Sequence, residues 1–540
     1  MAYCKIPIVI ADHPLYHALQ MNAETATIAE SQSCETVERS LLTIADALRA
    51  RFFASVSVEH QKAFGQFLTP PHVAELMAAM FQLRSRHIRL LDAGAGMGIL
   101  SAAFVRRLLQ RKMPPKCIEV TAYELDAALL RGIEQTYEAC RVACQQRGVE
   151  FSATIRNTDF IAEAAEMQRH DLFSTAPPVF DAAIVNPPYG KLSTTSNGYR
   201  LLQAVGAETT NLYTAFLNLI IGLLRPKGEL VAITPRSFCN GPYFKVFRQR
   251  LLKEMSLRRI HVFESRTAAF RHDDVLQENV ILHAVKGQRG SDNIRVSQST
   301  GGHHDAGHSR TFRTAEIVSP ADAEAFIHIP TSEQHLTARD QVARLEATLD
   351  RLGLAVSTGR VVDFRAREHI RQKPEEGTCP LIYPCHFDGL FVTWPARRGR
   401  KPDAIREDDQ TQSLTIPADV YVLTKRFTSK EERRRVVACI YDPVRVGSQR
   451  VGLENHLNYI HAGGKGLDML LAKGLWAYLN SSILDLYFRQ FNGHTQVNAT
   501  DLRNVRFPTA DQLRAIGSQI GDRGPGQDDI DQIVTRELKV

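Results

Sequence analysis

Six short apolar runs constrain the fold of this chain more than any other feature. IRLLDAG, VTAYELD, FDAAIVN, GELVAIT, IHVFE and ENVILHAV lie between residues 88 and 285. Helical stretches separate them, for example PPHVAELMAAMFQL before the first and TAFLNLIIGLLRP before the fourth. Runs of this length read as strands, and strands that alternate with helices predict a parallel sheet covered on both faces. In an open sheet of that kind, ligands bind beyond the carboxyl ends of the strands. The unusual residues of this sequence sit at those ends.

With 540 residues the chain exceeds what one core supports. We expect a helical extension over 1–60, around VERSLLTIADALRARFFASV, and the α/β domain over 61–286. The Gly-, Ser- and His-rich stretch within 287–335 reads as a linker or exposed loop. A mixed α+β domain is expected over 336–515, where the alternation is lost, followed by a tail over 516–540. No apolar run reaches transmembrane length, and the start, MAYCKIPIVIADHP, is a poor signal peptide. The nine cysteines are scattered without paired CxxC units, so neither a zinc site nor a disulfide framework is expected. His303, His304 and His308 lack partners at metal-ligand spacing and read as solvent-exposed. The expectation is a cytoplasmic protein without a metal. A formal net charge of +7 mildly favours an anionic partner.

The first strand opens into LLDAGAGMGIL. Gly94, Gly96 and Gly98 allow a tight turn and close approach of backbone to a ligand. The second strand ends in Glu124 and Asp126, where a carboxylate can bind a ribose diol. Asp159, in RNTDF after another candidate strand, can accept a bond from an adenine amino group. The glycine spacing is GxGxG rather than the GxGxxG of dinucleotide folds, and Asp92 precedes it. An acidic residue there suits a cationic, phosphate-free ligand better than a pyrophosphate. S-adenosylmethionine meets those terms, with a ribose, an adenine, an amino-acid end and a sulfonium.

FDAAIVNPPY, residues 180–189, ends a buried strand in Asn186, Pro187, Pro188 and Tyr189. Prolines cannot continue a ladder. An amide and a phenol ring are therefore held on a stiff turn at the strand's carboxyl end.

The motifs AFGQFLTPPHVAELMAAM, DAGAG and NPPY, in that order, resemble the DNA adenine-N6 methyltransferases of the gamma arrangement. The likeness is greatest to the PstI and BsuBI type of modification enzymes, which also share LTKRFTSKEERRR and GHTQVNATDLRNVRFP. It spans roughly residues 60 to 510. The resemblance implies a Rossmann-like class I methyltransferase sheet, with Thr69 and Pro70 near the methionine end of S-adenosylmethionine. It also implies that the Asn186 side-chain oxygen and the Pro187 carbonyl accept hydrogens from an exocyclic amine. A base must leave the duplex to reach them. Tyr189 would stack on it, with Phe270 as a second wall. The implied partner is double-stranded DNA carrying a short palindromic site. Any restriction endonuclease for the same site would be a separate chain.

The second half carries basic clusters suited to phosphate contacts: Arg397, Arg398 and Lys401, then Lys425 and Arg426. Asn492, His494 and Gln496 offer hydrogen-bonding side chains suited to base or backbone contacts, or to a polar loop bridging two domains. Arg236 and Lys245 fit a DNA-backbone contact or a solvated face equally. Other functions weighed are protein glutamine methylation, RNA adenine methylation and a non-catalytic specificity subunit. The first is disfavoured by chain length and the large basic C-terminal region, the second by the likeness of the tail to modification enzymes. The third is disfavoured by the intact Asn186 and glycine loop.

Overall fold

The apolar runs assemble into one sheet, but not all of them point the same way. The computed structural model describes residues 41–52, 56–57, 68–169, 179–264, 278–287, 293–300, 308–396, 401–428, 432–493 and 495–539. The chain divides into two units, Met1–Pro235 with Gln249–Thr311 and Arg236–Arg248 with Phe312–Val540.

The first unit is built on nine strands in the order β3-β2-β1-β4-β5-β7-β6-β8-β9. They are β1 (His87–Ala93), β2 (Cys117–Tyr123), β3 (Glu150–Arg156), β4 (Phe180–Val185), β5 (Leu224–Pro235), β6 (Met255–Phe263), β7 (Asn279–Lys286), β8 (Asn293–Ser299) and β9 (His308–Arg313). β1 to β5 are mutually parallel. β7 runs antiparallel between β5 and β6, which corrects the expectation of a parallel sheet throughout. The cause is that a continuous apolar run is buried on both faces whichever way it points, so ENVILHAV carries no mark of its direction.

The helices that matter for the site are α1 (residues 41–52), α2 (Pro71–Ala78), α3 (Ile99–Leu109), α4 (Leu130–Gln146), α5 (Phe160–Gln168) and α6 (Leu212–Leu223). α6 is apolar almost all round and correspondingly buried, as expected of a helix inside the protein rather than on its surface. β4 is buried at all six positions. Its one acidic residue, Asp181, accepts the Arg89 backbone N–H at 2.8 Å and pairs with Arg225. One buried carboxylate thus ties the starts of β1, β4 and β5, and the opposite ends of these strands are free to carry ligand-binding loops.

The stretch expected as a linker over 287–335 instead supplies two strands of the sheet. β8 pairs in parallel with β6 from Arg259↔Arg295 to Phe263↔Ser299. Ile294 and Val296 alternate inward along it, a period of two that the surrounding polar composition obscured.

The second unit holds a six-stranded and a five-stranded sheet of short strands. The strand Tyr421–Lys425 pairs antiparallel with both Ala438–Tyr441 and Leu457–His461. The supposed tail over 516–540 is structural. Its helix, Gln527–Leu538, buries Ile530, Val534 and Leu538 in the core of this unit, and Asp531 accepts the Ser482 backbone N–H at 2.7 Å. That helix carries its apolar residues at helical spacing, but few of them, which is why it reads as weak in isolation.

The helices Met469–Leu479 and Ala510–Ser518 cross closely. A Cβ at Gly474 would lie 1.9 Å from the Leu513 carbonyl oxygen, and one at Gly517 1.9 Å from that of Leu470. Gly474→Ala should therefore destabilise this unit by about 1–3 kcal/mol, the usual cost of overpacking, read as a lower denaturant midpoint in the fluorescence of Trp476 on the same helix. Gly521→Ala, where a Cβ meets nothing within 4 Å, should change stability by less than about 0.5 kcal/mol. Equal midpoints for the two variants would contradict the close-crossing account.

Candidate active site

The carboxyl ends of β1 to β4 enclose a cavity of about 450 Å³ in the first unit. β1 contributes Gly94 and Gly96, β2 contributes Tyr123, Glu124 and Leu125, β3 is followed by Thr158 and Asp159, and β4 by Asn186 and Pro188. Leu68, Phe160 and Phe216 add apolar walls. Glu124 and Asp159 are acidic, and among the described residues no Lys, Arg or His lines the space.

The glycine loop is held by the neighbouring strand, since Gly94 and Ala95 both donate to the Tyr123 carbonyl, at 2.8 and 2.9 Å. Gly94 sits at φ +81° and Gly96 at φ +58°, a region L side chains rarely adopt. A Cβ on Gly96 would also lie 2.5 Å from Leu68 Cδ2, which itself lines the cavity. Gly98 is different. It faces the Tyr137 ring and Thr136 of α4 and stands outside the cavity lining, so it serves helix packing at the start of α3.

Glu124 belongs to both the loop and the cavity. Its Oε2 accepts the Gly96 N–H at 2.9 Å and its Oε1 accepts the Asp126 N–H at 2.9 Å. Burial raises its pKa and these backbone donors oppose the rise. Each oxygen has a second lone pair, so the carboxylate can brace the loop and still accept from a diol. Asp126 turns away to cap Ala128. Asp159 caps α5 through Oδ1, which accepts the Ile161 N–H at 2.9 Å, and lines the cavity.

Asp92 departs from the expectation that it faces the ligand. Its carboxyl is fully buried beneath the loop, where Oδ2 accepts the Ser101 hydroxyl at 2.6 Å. Ser101 in turn accepts the Tyr137 hydroxyl at 3.1 Å. Burial lifts the Asp92 pKa to about 7, with the Ser101 bonds pulling the other way. The side chain of a residue at a strand's end can point to either face, and sequence spacing did not decide which.

Asn186 ends β4 beside the cavity. Its Nδ2 donates to the Thr69 hydroxyl at 3.1 Å, and its Oδ1 accepts the Tyr189 hydroxyl at 3.2 Å. Burial pushes the Tyr189 phenol well above its ordinary pKa, so it remains a donor. Its ring meets Tyr213 edge-on, with centroids 6.4 Å apart. Pro187 is buried and Pro188 is half-buried. Thr69 is buried too, while Pro70 is the residue before α2, its carbonyl accepting from Val73 and Ala74 at 3.1 and 3.0 Å. Phe270 lies outside the described residues.

Of the second-unit candidates, Arg397, Arg398 and His494 lie outside the described residues. Lys401 pairs with Asp363 at 2.8 Å and stands 5.0 Å over the Tyr383 ring. Two distant motifs do meet. Phe427 forms an antiparallel bridge with Gln496, and Val497 donates to the Arg426 carbonyl at 2.7 Å. The Arg426 guanidinium donates to the Asn455 carbonyl at 2.6 Å, and Lys425 stands 5.9 Å over the Phe387 ring. Asn492 is a correction. It is 3% exposed, accepts from Arg435, and donates to the Gln496 carbonyl at 2.9 Å, so it builds the loop instead of presenting an amide to a partner. Arg236 and Lys245 are likewise engaged, with the Arg489 carbonyl at 2.8 Å and with Glu324 at 2.6 Å.

Sequence reading missed the aromatic pair Phe160 and Phe216, whose centroids are 4.9 Å apart; only the position of Phe160 directly after Asp159 hinted at it. It also missed Arg49, which with Thr69, Gly94 and Asn186 lines a narrow extension of the cavity. Among the described residues, the one grouping of three metal-type ligands is His87, Cys117 and Glu119. It sits toward the amino ends of β1 and β2, opposite the glycine loop.

Residues 124–270 match the family model described as Eco57I restriction-modification methylase. The chain is similar to the type II methyltransferase M.PstI of Providencia stuartii, at 42% identity over 501 residues, covering 93% of this chain and 98% of that one. It is 40% identical over 493 residues to the type II methyltransferase M.BsuBI of Bacillus subtilis, covering 91% of this chain and 94% of its relative.

The buried Asp92 gives a pH prediction. A carboxyl with a folded pKa of about 7, against an ordinary value of about 3.9, holds its proton more tightly in the folded chain than in the unfolded one. Its contribution to stability is complete below pH about 4, falls as the pH rises, and levels off above about 7. Asp92→Asn removes that fall, so the variant should gain stability relative to the parent between pH 4 and 7. Denaturant unfolding by circular dichroism at several pH values checks this, and a difference that stays flat or shrinks with pH would contradict it.

Proposed function

The chain belongs to the type II methyltransferases, and from that membership we propose that it moves a methyl group from S-adenosylmethionine to N6 of adenine within a short sequence of double-stranded DNA. The observation that carries the reading is the Asn186 amide, held by Thr69 and Tyr189 at the end of β4 beside the cavity.

The cavity fits the cofactor. Its glycine corner admits close approach, and a Cβ on Gly94 would reach to 3.8 Å of the Asn186 carbonyl and 3.9 Å of Phe216 and Pro188. Its lining, acidic and without a basic side chain among the described residues, suits a phosphate-free ligand. Glu124 would hold the ribose hydroxyls and Asp159 the adenine amino group. Phe160, Phe216 and Pro188 would flank the apolar ring, and the Thr69 end would receive the methionine part. When bound, the cofactor supplies an electrophilic methyl on a sulfonium.

The protein's own work is on the acceptor. An exocyclic aromatic amine is a weak nucleophile because its lone pair is delocalised into the ring. Acceptors that draw on its hydrogens favour the reactive geometry, and they act most strongly as positive charge develops on nitrogen. Asn186 Oδ1 and the Pro187 carbonyl would be those acceptors. With Nδ2 on Thr69, the oxygen would be the atom offered to the amine. In the structure that oxygen accepts from Tyr189; an incoming amine exchanges one donor for another, so the amide is never stripped of its partner. Tyr189 then turns its ring to the base face, and positioning contributes much of the remaining acceleration.

DNA would be gripped by the second unit, with phosphates met by Lys401, Lys425 and Arg426 and base edges by Gln496. Arg397, Arg398 and His494 remain candidates for the same kinds of contact.

Expression in a host without DNA methylation, followed by genome-wide mapping of modified bases, tests the reading. The parent chain should mark adenine on both strands of one short palindrome. Asn186→Ala should leave the genome unmarked, with turnover reduced by more than tenfold, about 1.4 kcal/mol. Its affinity for DNA should stay within about twofold, since the acceptor acts on the rate rather than on binding. Modified adenines without a shared sequence, or an active Asn186→Ala, would contradict it.

A further inference from the structure

α1 carries a cation on its buried stripe. Leu41, Leu42 and Ala45 are in the core that α2 and α3 share, and Leu48 and Phe52 pack with Leu68, Met97 and Leu129 around the glycine loop. Positions 42, 45, 49 and 52 follow helical spacing, so Arg49 falls on the face that the apolar residues turn inward. Its side chain is only 19% exposed. A charge at such a place needs partners.

Asp46 is one of them, accepting the Nε hydrogen at 2.8 Å, which fixes the plane of the guanidinium. The other observation is position. Arg49 lines the narrow extension of the cavity together with Thr69, Ala95, Met97 and Asn186. That extension shares Leu68, Gly94, Gly96 and Asn186 with the main cavity, so the two are parts of one site. Among the described residues the main cavity has carboxylates and no base, and the extension adds the arginine.

S-adenosylmethionine has one anionic group, the α-carboxylate of its amino-acid end. We infer that Arg49 binds this carboxylate, so that α1, from the segment ahead of every recognised motif, completes the cofactor site. The inference rests on the cofactor reading above. The guanidinium fork matches a carboxylate in a bidentate arrangement that lysine cannot reproduce. Its role is to bind and orient the cofactor, without touching the base.

Calorimetry on the full chain tests it, with S-adenosylmethionine and its decarboxylated analogue as the two probes. The parent should bind the intact cofactor at least tenfold more tightly than the analogue. Arg49→Gln should lose at least tenfold for the cofactor and no more than about twofold for the analogue, and Arg49→Lys should recover part of the loss. Equal losses for both probes would make Arg49 a packing residue and overturn the inference, as would unchanged cofactor affinity in Arg49→Gln. If the glutamine variant does not fold, the parent's own discrimination decides, and equal affinity for the two probes overturns it. A parent that binds neither probe fails the cofactor reading itself, whereas a parent that binds both with no role for Arg49 leaves that reading standing.

Discussion

The Asn186 amide is held at the end of β4 by two hydrogen bonds, from Nδ2 to Thr69 and from the Tyr189 hydroxyl to Oδ1. Such a bond contributes only about 1 kcal/mol of net stability, but its effect is directional. In the proposed reaction a flipped amide would turn an N–H toward the incoming amine, donor against donor. The rest of the first unit serves that placement. Asp181 and its arginines tie the amino ends of three strands, the prolines stop the ladder, and Thr69 reaches Asn186 across 117 positions of sequence. The glycine loop and Glu124 are braced in the same way, by bonds from β2 and from the loop's own backbone.

Much of this was legible because the site lies at strand ends, where a change from apolar to polar residues is abrupt. NPPY, the GxGxG loop and Glu124 are local signals of that kind. What was not legible depends on the direction a side chain or strand takes. Asp92 and Gly98 belong to the motif by spacing, yet they support α3 and α4 from below. β7 is as apolar as a parallel strand but runs the other way. β8 hides a period-two pattern in a glycine- and histidine-rich stretch. Arg49 reads as an ordinary charged residue of an amphipathic helix until the fold shows what that helix covers.

The second unit teaches a similar lesson about polar side chains. Gln496 and Asn492 look interchangeable in the run FNGHTQVN, but Asn492 is buried among Arg435, Asp501 and the loop backbone. Buried amides build loops because unpaired polar groups are costly there. The meeting of Arg426 and Phe427 with Gln496 and Val497 was beyond sequence reading, since a bridge across about seventy positions leaves no periodic trace. Within our account, that junction is where phosphate and base contacts can be held in one register.

The central claim is that the acceptor is the exocyclic amine of adenine, and the most direct measurement follows the methyl group. The purified full chain is incubated with duplex DNA and S-adenosylmethionine carrying an isotopic label in the methyl group, and the DNA is digested to nucleosides for mass spectrometry. The account predicts label in N6-methyldeoxyadenosine. Label on N4 or C5 of cytosine, or on protein instead of DNA, would contradict it.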